Sequence, residues 1–244
     1  MLPPGVNEKR TDAPDTRGGP VQGLLLIDKP AGMTSHDVVQ RVRRVYGERS
    51  IGHLGTLDPF ATGLLILLLG RATRLATFID TEPKVYQAVM RFGEETDTDD
   101  ATGTVIRSTE IPDERAVRLA VDKLTGTVSQ VPPAYSAKSV DGTRAYDAAR
   151  RGEPLQLPAV DVTVHSWRIE SYEDGALTVQ ITCSGGTYIR ALARDLGRLT
   201  SSAAHVASLR RTRAGSFDVS DASTLDTLTR DPVRVKWLRV VADA

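Results

Sequence analysis

Between Gly52 and Gly63 the chain reads Gly-His-Leu-Gly-Thr-Leu-Asp-Pro-Phe-Ala-Thr-Gly. Three glycines and a proline constrain the backbone around one histidine, His53, and one aspartate, Asp58. Glycine opens left-handed conformations and proline locks φ, so the segment can hold an acid still for chemistry. The same residues also fit a plainer structure, an Asp-Pro turn in which Asp58 bonds its own backbone. Other chemistries are poorly supplied. Cys183 is the only cysteine, which excludes an intrachain disulfide and thiolate metal clusters. His36, His53, His165 and His205 are scattered, without the i, i+4 spacing of a helical metal pair, so no metal site is expected.

The 31 basic and 31 acidic residues cancel, which argues against a uniformly basic nucleic-acid binder. The signs are nevertheless segregated. Glu94, Glu95, Asp97, Asp99 and Asp100 form an acidic cluster, whereas Arg190, Arg194, Arg198, Arg210, Arg211 and Arg213 share their stretch with one acid, Asp195. A local basic face of this kind can bind phosphates while the whole chain stays neutral. A solvated helix face fits the same run.

The elements that must position these residues follow from patterning. At 244 residues, 40% of them hydrophobic and 25% charged, the chain can bury one large domain, with or without an appendage. Residues 1–22, rich in Pro, Gly, Asp, Thr and Arg, read as a disordered tail. Leu24–Ile27 reads as a buried strand, stopped by Lys29-Pro30-Ala31-Gly32. Thr34 or Ser35 can cap a helix bearing Val38, Val42 and Val45 on one face. Residues 52–63 read as a turn-rich loop, Leu64–Leu69 as a buried strand, Lys84–Phe92 as another, and 97–103 as a polar loop. A helix is expected over Glu114–Leu124 with Gly126 as its stop. Alternation predicts half-buried strands at Val160–Val164 and Leu177–Cys183, and Ser184-Gly185-Gly186 turns the second into a helix with Ile189, Leu192, Ala193 and Leu196. A short tail follows Arg213. Strands and helices mix without a βαβ rhythm, which favours α+β. Leu64–Leu69 is the longest apolar run and is too short to span a bilayer. No signal peptide is visible, so a cytoplasmic location is expected.

The 52–63 segment resembles the catalytic motif G-H-x-G-x-L-D-P-x-A-x-G of the TruB-type tRNA pseudouridine-55 synthase family at every fixed position. The resemblance runs from about Gly23 to Arg213. It includes Lys29-Pro30-Ala31-Gly32-Met33-Thr34-Ser35, Lys84-Val85-Tyr86 with the acidic loop after it, and Pro132-Pro133-Ala134-Tyr135-Ser136-Ala137-Lys138. It continues through Gly185-Gly186-Thr187-Tyr188-Ile189-Arg190 and closes at Ala204-His205-Val206 and Leu209-Arg210-Arg211. It implies the pseudouridine synthase fold, a mixed, largely antiparallel central sheet flanked by helices. It also implies isomerisation of uridine-55 in the T-loop of tRNA, in which the N1–C1′ bond breaks and the base rejoins through C5. That reaction changes no oxidation state and gains no atoms, so no cofactor is expected.

Residue by residue, the resemblance makes Asp58 the catalytic carboxylate and Arg190 its ion-pair partner. A desolvated carboxylate stays ionised only with such help. Tyr86 would stack on the base and is a candidate acceptor of the C5 proton, although a phenol is a weak base. His53 would occupy the space vacated by the flipped nucleotide. Tyr188 and Leu209 would line the uracil pocket, and Lys29 and Pro30 would support the loop. Phosphate contacts are expected from Arg41, Arg43, Arg44, Arg194, Arg210, Arg211 and Arg213. About thirty residues follow Arg213, including Val235-Lys236-Trp237-Leu238. A reduced or absent RNA-binding domain is therefore expected over 214–244, after a catalytic domain at 23–213. tRNA is the expected partner, presented through its T-arm; a monomer without a protein partner and without membrane contact is expected. Two rivals are a guide-dependent relative of the dyskerin type and a non-catalytic tRNA-folding factor.

Overall fold

The computed structural model describes residues 21–136, 138–140, 142–153 and 155–230. Of the tail expected at 1–22, residues 1–20 lie outside them, as does the Val235–Leu238 segment, whereas Val21 packs against a core. In chain order the elements are β1 (Gly23–Lys29), α1 (Ser35–Tyr46), β2 (Ile51–Leu54), β3 (Thr62–Leu69), β4 (Lys84–Phe92), β5 (Glu94–Thr96), β6 (Val105–Ser108) and α2 (Glu114–Lys123). There follow β7 (Gly126–Gln130), β8 (Ser139–Val140), β9 (Thr143–Arg144), α3 (Ala145–Arg150), β10 (Val160–Glu173) and β11 (Ala176–Cys183). The last are α4 (Ile189–Leu199), β12 (Ala204–Ala214), β13 (Phe217–Asp218), β14 (Ser223–Thr224) and α5 (Leu225–Arg230).

Strand β3 explains its own sequence. It lies between β1 and β12, and its two faces enter different cores. Leu65, Leu67 and Leu69 pack with Leu25, Ile27 and the α1 valines Val38, Val39 and Val42. Leu64, Ile66 and Leu68 pack with Leu24, Leu26 and Ala214. A strand covered on both faces has no polar face, so its run is uninterrupted. Each such leucine contributes about 1.5–3 kcal/mol of burial. Strand β11, by contrast, alternates buried and half-buried residues, because only one face meets the third core beneath α2 and α4.

The main sheet runs β14-β1-β3-β12-β4-β11-β10-β7, with β2 paired to β3 and β13 to β12. Among the described strand pairs of this sheet, β1–β14 and β3–β12 are parallel and the rest antiparallel. The architecture is thus α+β with a mixed, mostly antiparallel sheet. Three expectations needed refinement. The loop expected at 52–63 begins as strand β2, because Ile51–Leu54 pairs antiparallel with Leu69–Ile66. The polar loop at 97–103 closes a small β5–β6 hairpin. The tail expected after Arg213 is ordered through Arg230: β14 adds an edge strand beside β1, and Leu225 and Leu228 enter the α1 core. Among the described residues, no helix is long and apolar enough to cross a membrane.

Candidate active site

The loop between β2 and β3 carries Asp58, and the segment linking β1 to α1 holds it from two sides. Leu57 donates its N–H to Ser35 Oγ at 2.9 Å, and Ser35 Oγ returns a bond to the Leu57 carbonyl at 3.2 Å. The Pro59 carbonyl accepts from Gly32 N–H at 2.8 Å and from Lys29 Nζ at 3.3 Å. Lys29 Nζ also donates to the carbonyls of Pro30 (2.9 Å) and Met33 (2.7 Å). Leu57 and Ala61 are buried in the core on either side of the acid. Burial pulls Lys29 down to about 8, against the opposing fields of Asp58 and Asp37. The α1 end of this brace is fixed by a capping box, in which Thr34 accepts from Asp37 N–H while the Asp37 carboxylate accepts from Thr34 N–H.

Asp58 meets Arg190, the second residue of α4, although 132 positions separate them. Arg190 Nε donates to Oδ2 at 2.9 Å and Nη2 to Oδ1 at 2.8 Å. This is the bidentate geometry that fixes a carboxylate's plane as well as its position. The Arg190 side chain is 3% exposed and that of Asp58 32%, so one end of the pair is sealed and the other opens to solvent. Arg190 further donates to the carbonyls of Thr98 and Tyr135, both at 2.9 Å, and Asp100 lies 3.7 Å away. The start of α4 is itself clamped. Tyr188 N–H donates to Gln130 Oε1 at 2.9 Å, and Gln130 Nε2 donates to the Tyr188 carbonyl at 3.1 Å.

Tyr86 is buried on β4, within the fields of Asp58 and Arg211. Burial pushes its phenol up, more than Arg211 draws it down. Tyr188 is half-buried in the field of Asp58, and burial raises it too, against a contact with Ser136. Leu209 shares a core with Tyr86, Leu57 and Ala61. It also lines a cavity of about 600 Å³ bounded by Phe60, Thr62 and Arg210, beside the loop, with Asp58 itself outside the lining. His53 sits on β2 with Nδ1 buried and unpartnered. Burial, then Arg211 and His36, lower its proton affinity, so its electrostatic neighbours are not Asp58.

The arginines divide sharply. Arg41, Arg44 and Arg213 are exposed. Arg43 is half-buried and donates to the Ile51 carbonyl at 3.4 Å. Arg210 is partly exposed but spent on a bidentate pair with Asp28, at 2.9 and 2.7 Å. Two expected phosphate contacts need correction. Arg194 is buried against Asp99 (3.0 Å), Asp195 (3.0 Å) and the Val131 carbonyl (2.8 Å). Arg211 is 1% exposed. Neither can reach a phosphate, because both are enclosed by the core they support. The acidic cluster is the reason for α4: Arg190 lies near Asp100, Arg194 pairs with Asp99, and Arg198 pairs with Glu95 at 2.6 Å. The α4 part of the basic run therefore pairs internally with the acidic cluster. Sequence reasoning missed Ser35 and Gln130, whose hydrogen bonds hold the site. Only their neighbourhood in a motif hinted at them. No cluster of His, Cys, Asp and Glu suited to a metal occurs among the described residues.

Residues 43–189 match the model described as TruB family pseudouridylate synthase (N terminal domain). Residues 190–238 match that described as tRNA pseudouridylate synthase B C-terminal domain. A tRNA pseudouridine synthase B of Thermobifida fusca (strain YX) is 48% identical over 232 residues, covering 91% of this chain and 79% of the relative. One of Leifsonia xyli subsp. xyli is 50% identical over 215 residues, covering 84% and 71%. Among solved structures, a Cbf5-Nop10-Gar1 complex aligns with TM-score 0.66 and 26% identity over 85% of this chain and 54% of that one. An H/ACA RNP bound to a substrate RNA containing 2′-deoxyuridine aligns with TM-score 0.64 and 25% identity over 85% and 52%. The chain spans about half the length of those two solved chains.

Proposed function

The chain belongs to the TruB family of pseudouridylate synthases, and we propose that Asp58 is the carboxylate with which it isomerises uridine-55 of the tRNA T-loop. It is a tRNA-modifying isomerase with the pseudouridine synthase fold. The observation that carries the role of Asp58 is the bidentate pair with Arg190. A carboxylate must be ionised and partly desolvated to act on a nucleoside, and a sealed guanidinium reconciles those demands. The target base lies inside a folded loop and is flipped out to reach the acid. His53 fills the space it leaves. Tyr188 and Leu209 flank the uracil, and Tyr86 stacks on it and takes the C5 proton after the base has rejoined through C5. Arg41, Arg43, Arg44 and Arg213 hold phosphates, with Arg210 beside them on the rim. No atoms are gained and no electrons transferred, so the chemistry asks for no cofactor.

The protein acts in the cytoplasm as a monomer on bare tRNA, with residues 23–213 as the catalytic unit. Its 44–50% identity to enzymes named for tRNA, against 25–26% to the matched chains of an H/ACA RNP and a Cbf5-Nop10-Gar1 complex, supports this over a guide-dependent role. The test is an assay of the isolated protein on unmodified tRNA transcript. Wild type forms pseudouridine and Asp58→Asn does not. Undiminished activity in Asp58→Asn refutes the assignment, and activity only with added guide RNA refutes the bare-tRNA reading.

A further inference from the structure

Arg211 is the bulkiest side chain sealed from solvent among the described residues, at 1% exposure. Its Nε donates to the Leu64 carbonyl at 2.8 Å and its Nη2 to the Gly55 carbonyl at 3.0 Å. Both acceptors are neutral, and no carboxylate pairs with it among the described residues. A buried guanidinium in that state is costly, because carbonyl dipoles replace its hydration only in part. The titratable groups beside it bring no anion: Lys84 and His53 both bind protons less readily, first through burial and then through its field. Every other buried arginine of the site has an acid: Arg190 has Asp58, and Arg194 has Asp99.

The position of Arg211 suggests where its missing anion comes from. It stands directly opposite Tyr86 across the β12–β4 pairing, on the same face of the sheet, and its charge draws the buried Tyr86 phenol down against the larger effect of burial. The strand that delivers it runs parallel to β3 with Arg211 abreast of Gly63, where a Cβ would collide with the Arg211 carbonyl. Only glycine permits that approach, which brings the guanidinium under the first residues of the catalytic loop. The groups whose fields act most on the phenol are Arg211 from β12, Cys183 from β11 and Asp58 from the loop, and of these Arg211 is the cation.

We propose that Arg211 is a positioning residue that holds the Tyr86 oxygen in place and stabilises its phenolate, so that Tyr86 can accept the C5 proton. This rests on Tyr86 as the proton acceptor in the reading above. In the step, C5 carries both its hydrogen and the new bond to C1′. The phenolate takes the proton, the C–H electron pair becomes the C5=C6 π bond, and the C6=N1 pair withdraws to N1, which takes a proton from water. Tyr86 later returns its proton to water, so the cycle is neutral.

The test is single-turnover conversion of tRNA carrying either hydrogen or deuterium at C5 of the target uridine, using wild type, Arg211→Met, Arg211→Lys and Asp58→Asn. The Met variant should lose about 100-fold or more in rate at neutral pH, the usual worth of a proton-transfer group, with unchanged tRNA affinity. Deuterium should slow it more than it slows wild type, because C5 proton removal becomes limiting. Its rate should climb about tenfold per pH unit toward the phenol's own titration, and the Lys variant should recover part of the loss. If Arg211→Met does not fold, the Lys variant is read by the same isotope and pH criteria. A rate loss with the wild-type isotope ratio and pH profile, or no rate loss, overturns the proposal. Turnover by Asp58→Asn would sink the assignment of Asp58, whereas its inactivity beside isotope-insensitive Arg211 variants would sink this inference alone.

Discussion

Replacing Arg190 by methionine removes the hub of the site while keeping its bulk. The side chain makes four hydrogen bonds: two to the Asp58 carboxylate and one each to the Thr98 and Tyr135 carbonyls. Hydrogen bonds involving a charged group contribute roughly 1.5–3 kcal/mol each, but they are not additive when they share one guanidinium. A closer guide is a broken buried pair, which costs about 3–5 kcal/mol because the partner is left uncompensated. Asp58 is one-third exposed, so water rescues part of its charge, whereas Asp100 is buried and is not rescued. The expected loss is thus about 3 kcal/mol, at the low end of that range. Activity should fall further than stability, by about three orders of magnitude, because the carboxylate also loses its fixed plane. Urea titration gives the first number, and single-turnover pseudouridine formation by protein shown to be folded gives the second. Arg190→Lys retains the charge without the fork and should be impaired nearly as much. A folded Arg190→Met protein within tenfold of wild-type rate would refute the role of the pair.

Removing Arg194 should act on stability, not on RNA. Arg194→Met is expected to cost about 3–5 kcal/mol by stranding Asp99, while the folded protein binds tRNA as before. Alanine at Arg41, Arg44 or Arg213 should do the opposite, lowering the slope of log affinity against log salt by about one each. Filter binding separates the two classes, and a flat salt response of the wild type would count against the exposed set. For Lys29, burial moves the folded-state value from 10.5 to about 8. Between those values the unfolded chain binds the extra proton, so stability from this group rises as pH rises through the window. Urea midpoints of wild type should therefore gain on those of Lys29→Met from pH 8 upward. Parallel curves would contradict the buried position of the amine.

The loop carrying Asp58 was legible as a constrained turn because glycines and a proline around an acid act locally, whereas the role proposed for the acid came from the family resemblance and its opening strand was missed. Strand β3 was legible for a similar reason, since six apolar residues in succession between Gly63 and Gly70 are too few for a buried helix and fit a strand covered on both faces. A helix cap at Thr34 or Ser35 was readable from residue type, and the structure places it at Thr34. Family resemblance could name Arg190 as partner to Asp58, but spacing could not, because α4 and the loop meet only after the sheet has closed. The arginines show the limit most clearly. Arg210, Arg211 and Arg213 are neighbours in sequence, yet one pairs with Asp28 at the rim, one is sealed beneath Gly55, and one is exposed. Alternation along β12 sends Arg210 and Arg211 to opposite faces, and a register shift against β4 between Arg211 and Arg213 breaks the alternation that would put those two on one face. What each face meets is set by β3 and β4, which lie far away in sequence. The sequence by itself determined which residues could do chemistry. Only the tertiary structure decided which cations face solvent and which are committed to the core, because burial and pairing depend on contacts that no local spacing encodes.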